Sequence, residues 1–206
     1  DDLKALCAAF GTTSAAPLLH IRGHTPESQL PPRPGADTFD ITVAHLARLW
    51  RDFNAADECV DLVAIGSPHA SLSECRNFAN YLDGKTCDRD TKTIITVGRD
   101  VLSQAVKEGL VARLDKAGVQ IIPDICWCSI TEPIFPTSAS VVMTNSGKYS
   151  HYAKGLTGRD IRFGSLQDCA SVSCSGVAKS GLPEWLLQQT DQALRSKTNL
   201  RKAIVD

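Results

Sequence analysis

Residues 144–155, "TNSGKYSHYAKG", put hydroxyls, an amide, two lysines, a histidine and two tyrosines directly after the apolar run "SASVVM". One acidic residue, Asp160, lies close by in sequence. Thr144, Asn145 and Ser146 fall at the expected start of a helix, where backbone N–H groups have no intrahelical partner. Side-chain donors beside such groups suit a carboxylate or a phosphate. Lys148 adds a compact positive charge. Tyr149, His151 and Tyr152 add groups that can donate a proton or a hydrogen bond. The plainer reading is a helix cap followed by a solvated turn. Against it stands the cost of leaving two tyrosines in plain solvent.

Two other stretches carry candidate chemistry. In "DICWCS", Cys126 and Cys128 are one residue apart at the end of an expected strand. If extended geometry continued, both thiols would point to one face, and a thiolate pair suits zinc or an iron–sulfur cluster. The alternative is two buried thiols around Trp127. In "AIGSPHAS", His69 follows a strand and precedes a helix, where it can act as an acid, a ligand or a hydrogen-bonding strut. Gly66 and Ser67 would let the chain turn sharply there and cap the next helix, an arrangement that requires no ligand.

The elements that must position these groups follow from periodicity. "VDLVAI" (60–65), "TIITVG" (93–98), "VQIIP" (119–123), "SASVVM" (138–143) and "IRFG" (161–164) read as strands. Helices are expected through "LSECRNFANYLDG", over 100–116, and over "LQDCASVSC" with Ser165 as N-cap. Upstream, "APLLHI" (16–21) reads as a further strand. "DITVAHLARLWRDFN" reads as an amphipathic helix with Val43, Leu46, Leu49, Trp50 and Phe53 on one face. Strands alternating with helices at this spacing specify an α/β fold: a parallel sheet with helices on both faces, in three α/β/α layers. Ligands of such sheets bind outside the carboxyl ends of the strands, so all the motifs above should meet at one sheet edge. Residues 1–182 are expected to form this domain and residues 183–206 a helical segment behind Pro183.

Composition narrows the function classes. The chain has 206 residues, 43% apolar and 22% charged, with a formal net charge of −1. That suits a buried core and lacks the basic stripe of a nucleic-acid binder. No apolar run approaches the length of a membrane helix, and no secretory leader is legible, so a cytoplasmic location is expected. Eight cysteines without such a leader favour free thiols and metal ligands over a disulfide framework. No strand is followed by a dinucleotide-binding glycine pattern or a P-loop. The first residues, "DDLKALCAAFG", read as part of a helix already under way, and the chain is expected to be a fragment or a subunit.

Taken together, "LLHIRGHTPES", "IGSPHASLSE", "DICWC", "TNSGKYSHYAKGLTG" and "FGSLQDC" resemble, in order, the large-subunit catalytic region of the aconitase X family. The likeness runs over roughly residues 5–178. It implies an aconitase-like fold and a hydro-lyase that removes water from a small hydroxy acid with an iron–sulfur cluster of the 2Fe-2S or 4Fe-4S type. The family's activities are dehydration of cis-3-hydroxy-L-proline, the first expectation here, and of mevalonate 5-phosphate. It further implies catalytic roles for His69, His151 and Tyr152, and substrate binding by Ser67, Ser71, Thr144, Asn145, Ser146, Lys148 and Tyr149. Where aconitase has a cluster cysteine after "GS", this chain has Pro68 and His69. Its "CWC" is one residue shorter than aconitase's C-x-x-C, so a cluster cannot be held in the aconitase manner. Cys126 is the expected ligand, with Cys169 and Cys174 as candidates to complete three. The implied partners are the rest of the large subunit and a small swivelling domain that carries the serine base. A zinc-binding interaction module without catalysis is the rival from another class.

Overall fold

The computed structural model describes residues 1–14, 18–129 and 135–192. Its centre is a five-stranded sheet of β1 (Leu62–Ala70), β2 (Lys92–Val97), β3 (Val119–Pro123), β4 (Val141–Thr144) and β5 (Asp160–Phe163). All pairings are parallel and the order is β3-β2-β1-β4-β5. The strands form where β-branched residues run together, because those side chains pack well on a pleated surface buried on both sides.

Alternation divides the strand residues between two cores. Val63, Ile65, Ile95, Val97 and Met143 face one side, and Leu62, Ala64, Ile94 and Val142 face the other. The first side is covered by α3 (Leu72–Leu82), α4 (Arg99–Lys107), α5 (Leu110–Lys116) and α7 (Leu166–Ser175), through residues such as Phe78, Leu114 and Cys169. The second is covered by α6 (Gly147–Thr157), with Tyr149 and Ala153 packed against Trp127 and Phe135. Two further helices flank these layers, α1 (Asp2–Thr13) against α6 and α2 (Val43–Phe53) against β5. The three-layer α/β/α architecture read from the sequence is the one observed.

Local signals set several boundaries. Ser71 and Glu74, and likewise Ser165 and Asp168, form reciprocal capping boxes that start α3 and α7. Four expectations need correction. The helix expected over 100–116 is two helices, because Gly109 adopts φ +69 and stops α4 before α5 begins. Residues 18–21, part of the strand expected over 16–21, form no strand, and 15–17 lie outside the described residues. The apolar face of α2 is only half used: Trp50 and Phe53 pack edge-on against Phe163 at 5.6 and 5.7 Å, while Leu46 and Leu49 stay exposed. Finally, β1 does not end at residue 65 but runs on through "GSPHA". Residues 184–192 of the expected terminal helix are helical, and 193–206 lie outside the described residues.

Candidate active site

The strand order reverses between β1 and β4, since the chain builds outward from β1 through β2 and β3 and then returns to β4. Such a switch point opens a crevice at the carboxyl ends of the two strands. Both richest motifs sit there, "GSPHAS" on β1 and "TNSGKYSHY" at the join of β4 and α6.

β1 reaches the crevice by an excursion. Ile65 pairs with Ile95, but the next pair is Ala70 with Val97, so five steps along β1 are matched by two along β2. Gly66 starts it with φ +108, and a Cβ there would lie 2.3 Å from the Thr96 carbonyl oxygen. Only glycine meets both conditions. Thr96 Oγ1 then donates to the Gly66 carbonyl at 2.9 Å.

Several expected substrate-binding residues hold the crevice walls together. Thr144 is fully buried; its hydroxyl donates to the Ala64 carbonyl at 2.8 Å and accepts from Ser146 N at 3.1 Å. Ser146 caps α6, accepts from Tyr149 N at 3.1 Å and donates to the Ser67 carbonyl. Tyr149 is buried against Trp127 with ring centroids 4.5 Å apart, and its hydroxyl pairs with Thr157 Oγ1 at 3.0 Å. Burial pushes the Tyr149 phenol above its ordinary range. Ser71 is committed to the cap of α3. Asn145 and Lys148 differ: both are half-buried, and neither side chain has a hydrogen-bond or ion-pair partner among the described residues.

"DICWCS" does not continue as a strand. Asp124 takes φ +58, which ends the extended geometry, and Trp127–Ser129 coil into a 3-10 turn. The two thiols are therefore not set by a strand face, though they remain neighbours, Cys126 adding to the rise of the Cys128 thiol. Cys126 is exposed, whereas Cys128 is buried with its sulfur 2.7 Å from Ser67 Oγ. Burial raises the Cys128 thiol, opposed by Ser67 and Tyr152. Tyr152 is half-buried beside Cys128, Cys126 and Ser67, and its phenol is pushed well up, first by burial and then by the neighbouring Cys128. His69 is half-buried, with Nε2 2.8 Å from the Ile125 carbonyl oxygen. A carbonyl only accepts, so Nε2 carries the hydrogen of this bond. The His69 carbonyl in turn accepts from Lys4 Nζ at 2.9 Å, and Lys4 also bonds Glu74 at 2.6 Å. His151 is exposed on α6.

With this geometry in view, the comparisons with known proteins are specific. The family model for the aconitase X third domain matches residues 60–175, and that for the second domain matches residues 1–51. The chain belongs to the aconitase X family. A cis-3-hydroxy-L-proline dehydratase of Hypocrea jecorina is 39% identical over 193 residues, covering 90% of this chain and 32% of that protein. Its namesake from Pseudomonas aeruginosa is 40% identical over 192 residues, covering 90% and 33%. The phosphomevalonate dehydratase large subunit of Methanothermobacter thermautotrophicus is 29% identical, covering 78% and 39%. The crystal structure of Thermococcus kodakaraensis aconitase X (holo-form) superposes with a TM-score of 0.72 at 27% identity, covering 83% of this chain and 43% of that one. The chain thus spans about a third of the length of the dehydratases it matches.

The residues expected to hold a cluster are not brought together. Cys169 is fully buried in the core on the α7 side of the sheet, and burial there pushes its thiol far above the ordinary range. Cys174 packs against that same core, near Cys87 and Lys85. Both lie across the sheet from the Trp127–Tyr149 side, so neither can share a metal with Cys126. Among the described residues no three His, Cys, Asp or Glu side chains converge in a metal-holding arrangement. The set of Cys126, Cys169 and Cys174 therefore does not fit a cluster. A closed zinc site, which needs four ligands, fits no better. Also among the described residues, no helix is long and apolar enough to cross a membrane.

Sequence reasoning missed Lys4, Glu74 and the Ile125 carbonyl. Only Glu74 left a signal, three residues after Ser71 in a capping-box pattern. Lys4 reaches the site from 65 residues away along the chain, and nothing local announces that.

Proposed function

We propose that this chain carries the substrate crevice of a hydro-lyase that converts cis-3-hydroxy-L-proline to Δ1-pyrroline-2-carboxylate. In that reaction a base takes the Cα proton and the C3–O bond breaks. The hydroxyl leaves as water with one added proton, and the resulting C=C bond tautomerises to the imine. The observation that carries this choice over a phosphorylated substrate is the state of the basic side chains. A phosphate calls for two or more converging cations. Arg99 is bound to Asp124 at 2.6 Å and Lys154 to Asp160. Arg159 is buried over the Phe135 ring with Nε donating to the Ala139 carbonyl at 3.0 Å. Of these four, Lys148 is the one with neither an ion-pair nor a hydrogen-bond partner among the described residues, while Arg159, held against Phe135, keeps only its buried Nη1 unpartnered. One cation suits one carboxylate, and the higher identity to the named hydroxyproline dehydratases agrees.

Asn145 and Lys148 orient the carboxylate in this reading, since positioning of this kind supplies a large share of the rate. Ser67, Thr144, Ser146, Ser71 and Tyr149 hold the crevice in shape. Of the three groups that could protonate the departing hydroxyl, Tyr152 lies against Cys128 and Ser67 at the crevice, His69 has its Nε2 hydrogen engaged, and His151 is exposed. We assign the proton to the Tyr152 hydroxyl. Cys126 is the one residue of this chain proposed to hold such a cluster. Further thiolate ligands would have to come from another segment or subunit, since all eight cysteines are placed and no three converge among the described residues. An iron–sulfur cluster, when bound, supplies a Lewis acid for a leaving hydroxyl. The base that takes the Cα proton is proposed to lie on a partner segment or subunit.

The test uses the full-length protein purified anaerobically and offered both substrates. Turnover of cis-3-hydroxy-L-proline, lost in Lys148→Ala through a raised KM and in Tyr152→Phe through a lowered kcat, is expected. Turnover of mevalonate 5-phosphate alone would overturn the reading.

A further inference from the structure

We infer that His69 is a positioning residue, which with Ser67 fixes the Cys-Trp-Cys loop so that Cys126 alone is presented to the crevice. Four anchors hold the loop. Asp124 N donates to the Val97 carbonyl at 2.8 Å, and the Asp124 carboxylate accepts from Arg99 N at 2.9 Å and Arg99 Nε at 2.6 Å. The Ile125 carbonyl accepts from His69 Nε2 at 2.8 Å. The Cys128 sulfur meets Ser67 Oγ at 2.7 Å. The Trp127 ring is buried against Tyr149. Within residues 125–128, every residue but Cys126 is buried or half-buried, and Cys126 is exposed.

The anchors bracket that thiol. His69 grips the residue before it and Ser67 the second residue after it, and both anchoring side chains come from the one excursion of β1. This accounts for an excursion where a plain strand end would have sufficed. His69 is itself steadied from behind, since its carbonyl accepts from Lys4, which is held by Glu74. A ring whose Nε2 hydrogen holds the loop cannot release that hydrogen to a leaving group without freeing the loop. The inference rests on the proposed function only in taking Cys126 as the group delivered, and its test is independent of turnover.

Glutamine can bring an amide N–H to the place of His69 Nε2, whereas asparagine is too short to reach Ile125. Full-length wild type, His69→Gln, His69→Asn and Ser67→Ala are alkylated in the metal-free state, and the Cys126 and Cys128 peptides are followed by mass spectrometry. Iron bound after reconstitution is measured in parallel. Cys128 is expected to stay protected in wild type and His69→Gln. In His69→Asn and Ser67→Ala it should react about fivefold faster, the population shift that one hydrogen bond supports, with less iron retained. Unchanged Cys128 protection and iron in both His69→Asn and Ser67→Ala would overturn the inference. So would equal loss of turnover in His69→Gln and His69→Asn with protection and iron intact, since that pattern marks a proton donor. A wild type that fails to dehydrate cis-3-hydroxy-L-proline would sink the functional reading, while the alkylation result would still decide the anchor.

Discussion

Cys126 and Cys169 are the same side chain in opposite surroundings. The first is exposed at the end of β3 beside Tyr152, and the second is sealed in the core under α7, where burial disfavours the thiolate that metals and alkylating reagents need. Cys169→Ala is accordingly expected to leave bound iron unchanged and to lower stability by about 1 kcal/mol, the cost of one small buried group. Cys126→Ser is expected to lower bound iron with little change in stability. Iron analysis beside a denaturant melt checks both, and iron lost in Cys169→Ala would restore it as a ligand. Gly66 is more sensitive. Gly66→Ala brings a Cβ within 2.3 Å of the Thr96 oxygen at a positive φ, and a loss of about 3 kcal/mol or more is expected. The residue types at this site were legible from sequence, but their division of labour was not. Thr144, Ser146 and Tyr149 look like ligand donors in a string of letters. They become wall-fasteners only once β4 lies beside β1, where Thr144 and Ser146 reach the carbonyls of Ala64 and Ser67 and Tyr149 pairs with Thr157 under Trp127.

At the scale of elements, the alignment of β4 with β1 is fixed at its start as well as at the crevice. Asp61 Oδ2 accepts from Ser140 N at 2.7 Å, Ser140 Oγ at 2.9 Å and Val141 N at 2.8 Å. Burial alone would raise this carboxyl, but the three donors outweigh it and hold it below the ordinary carboxylate range. A group with a depressed folded-state pKa contributes stability above its unfolded value and loses it as pH falls through the folded one. Asp61→Asn is therefore expected to cost roughly 1–2 kcal/mol at pH 7, a charge-assisted contribution discounted for partial exposure. The cost should begin to shrink below about pH 4, where the carboxyl of the unfolded chain takes up its proton, and vanish once pH falls through the lower folded-state value. Melts across pH 3–7 read this directly, and a cost independent of pH would contradict it. The strands themselves were plain in sequence because runs such as "TIITV" offer no other way to bury every residue. The excursion in β1, the break at Gly109 and the turn at Asp124 were not, since each depends on a single positive φ. That last turn is why Cys126 and Cys128 differ in exposure although one residue separates them.

At the scale of the whole molecule, the described residues differ sharply in how much they bury. The sheet and its helices hold two continuous cores, while in the segment 18–42 Leu18, Leu30, Phe39 and Ile41 are 70%, 70%, 88% and 79% exposed. Segments with few buried contacts open at low free energy. Trypsin is thus expected to cut this chain after Arg22 before any site within residues 60–175, and first cuts inside the sheet would contradict the assignment of the cores. The convergence of motifs on one edge was foreseeable from the α/β pattern alone. Which cysteines converge was not, because α7 and the Cys-Trp-Cys loop follow similar strand ends yet lie on opposite faces of the sheet. The central claim is that this edge, with Cys126 presented and Lys148 without a partner among the described residues, serves dehydration of a hydroxyproline. The most direct measurement is turnover of cis-3-hydroxy-L-proline and of mevalonate 5-phosphate by the anaerobic full-length protein, wild type beside Cys126→Ser. Turnover of the first substrate only, abolished in the variant, is the predicted result. No dehydration of cis-3-hydroxy-L-proline, or equal turnover by Cys126→Ser, would contradict the account.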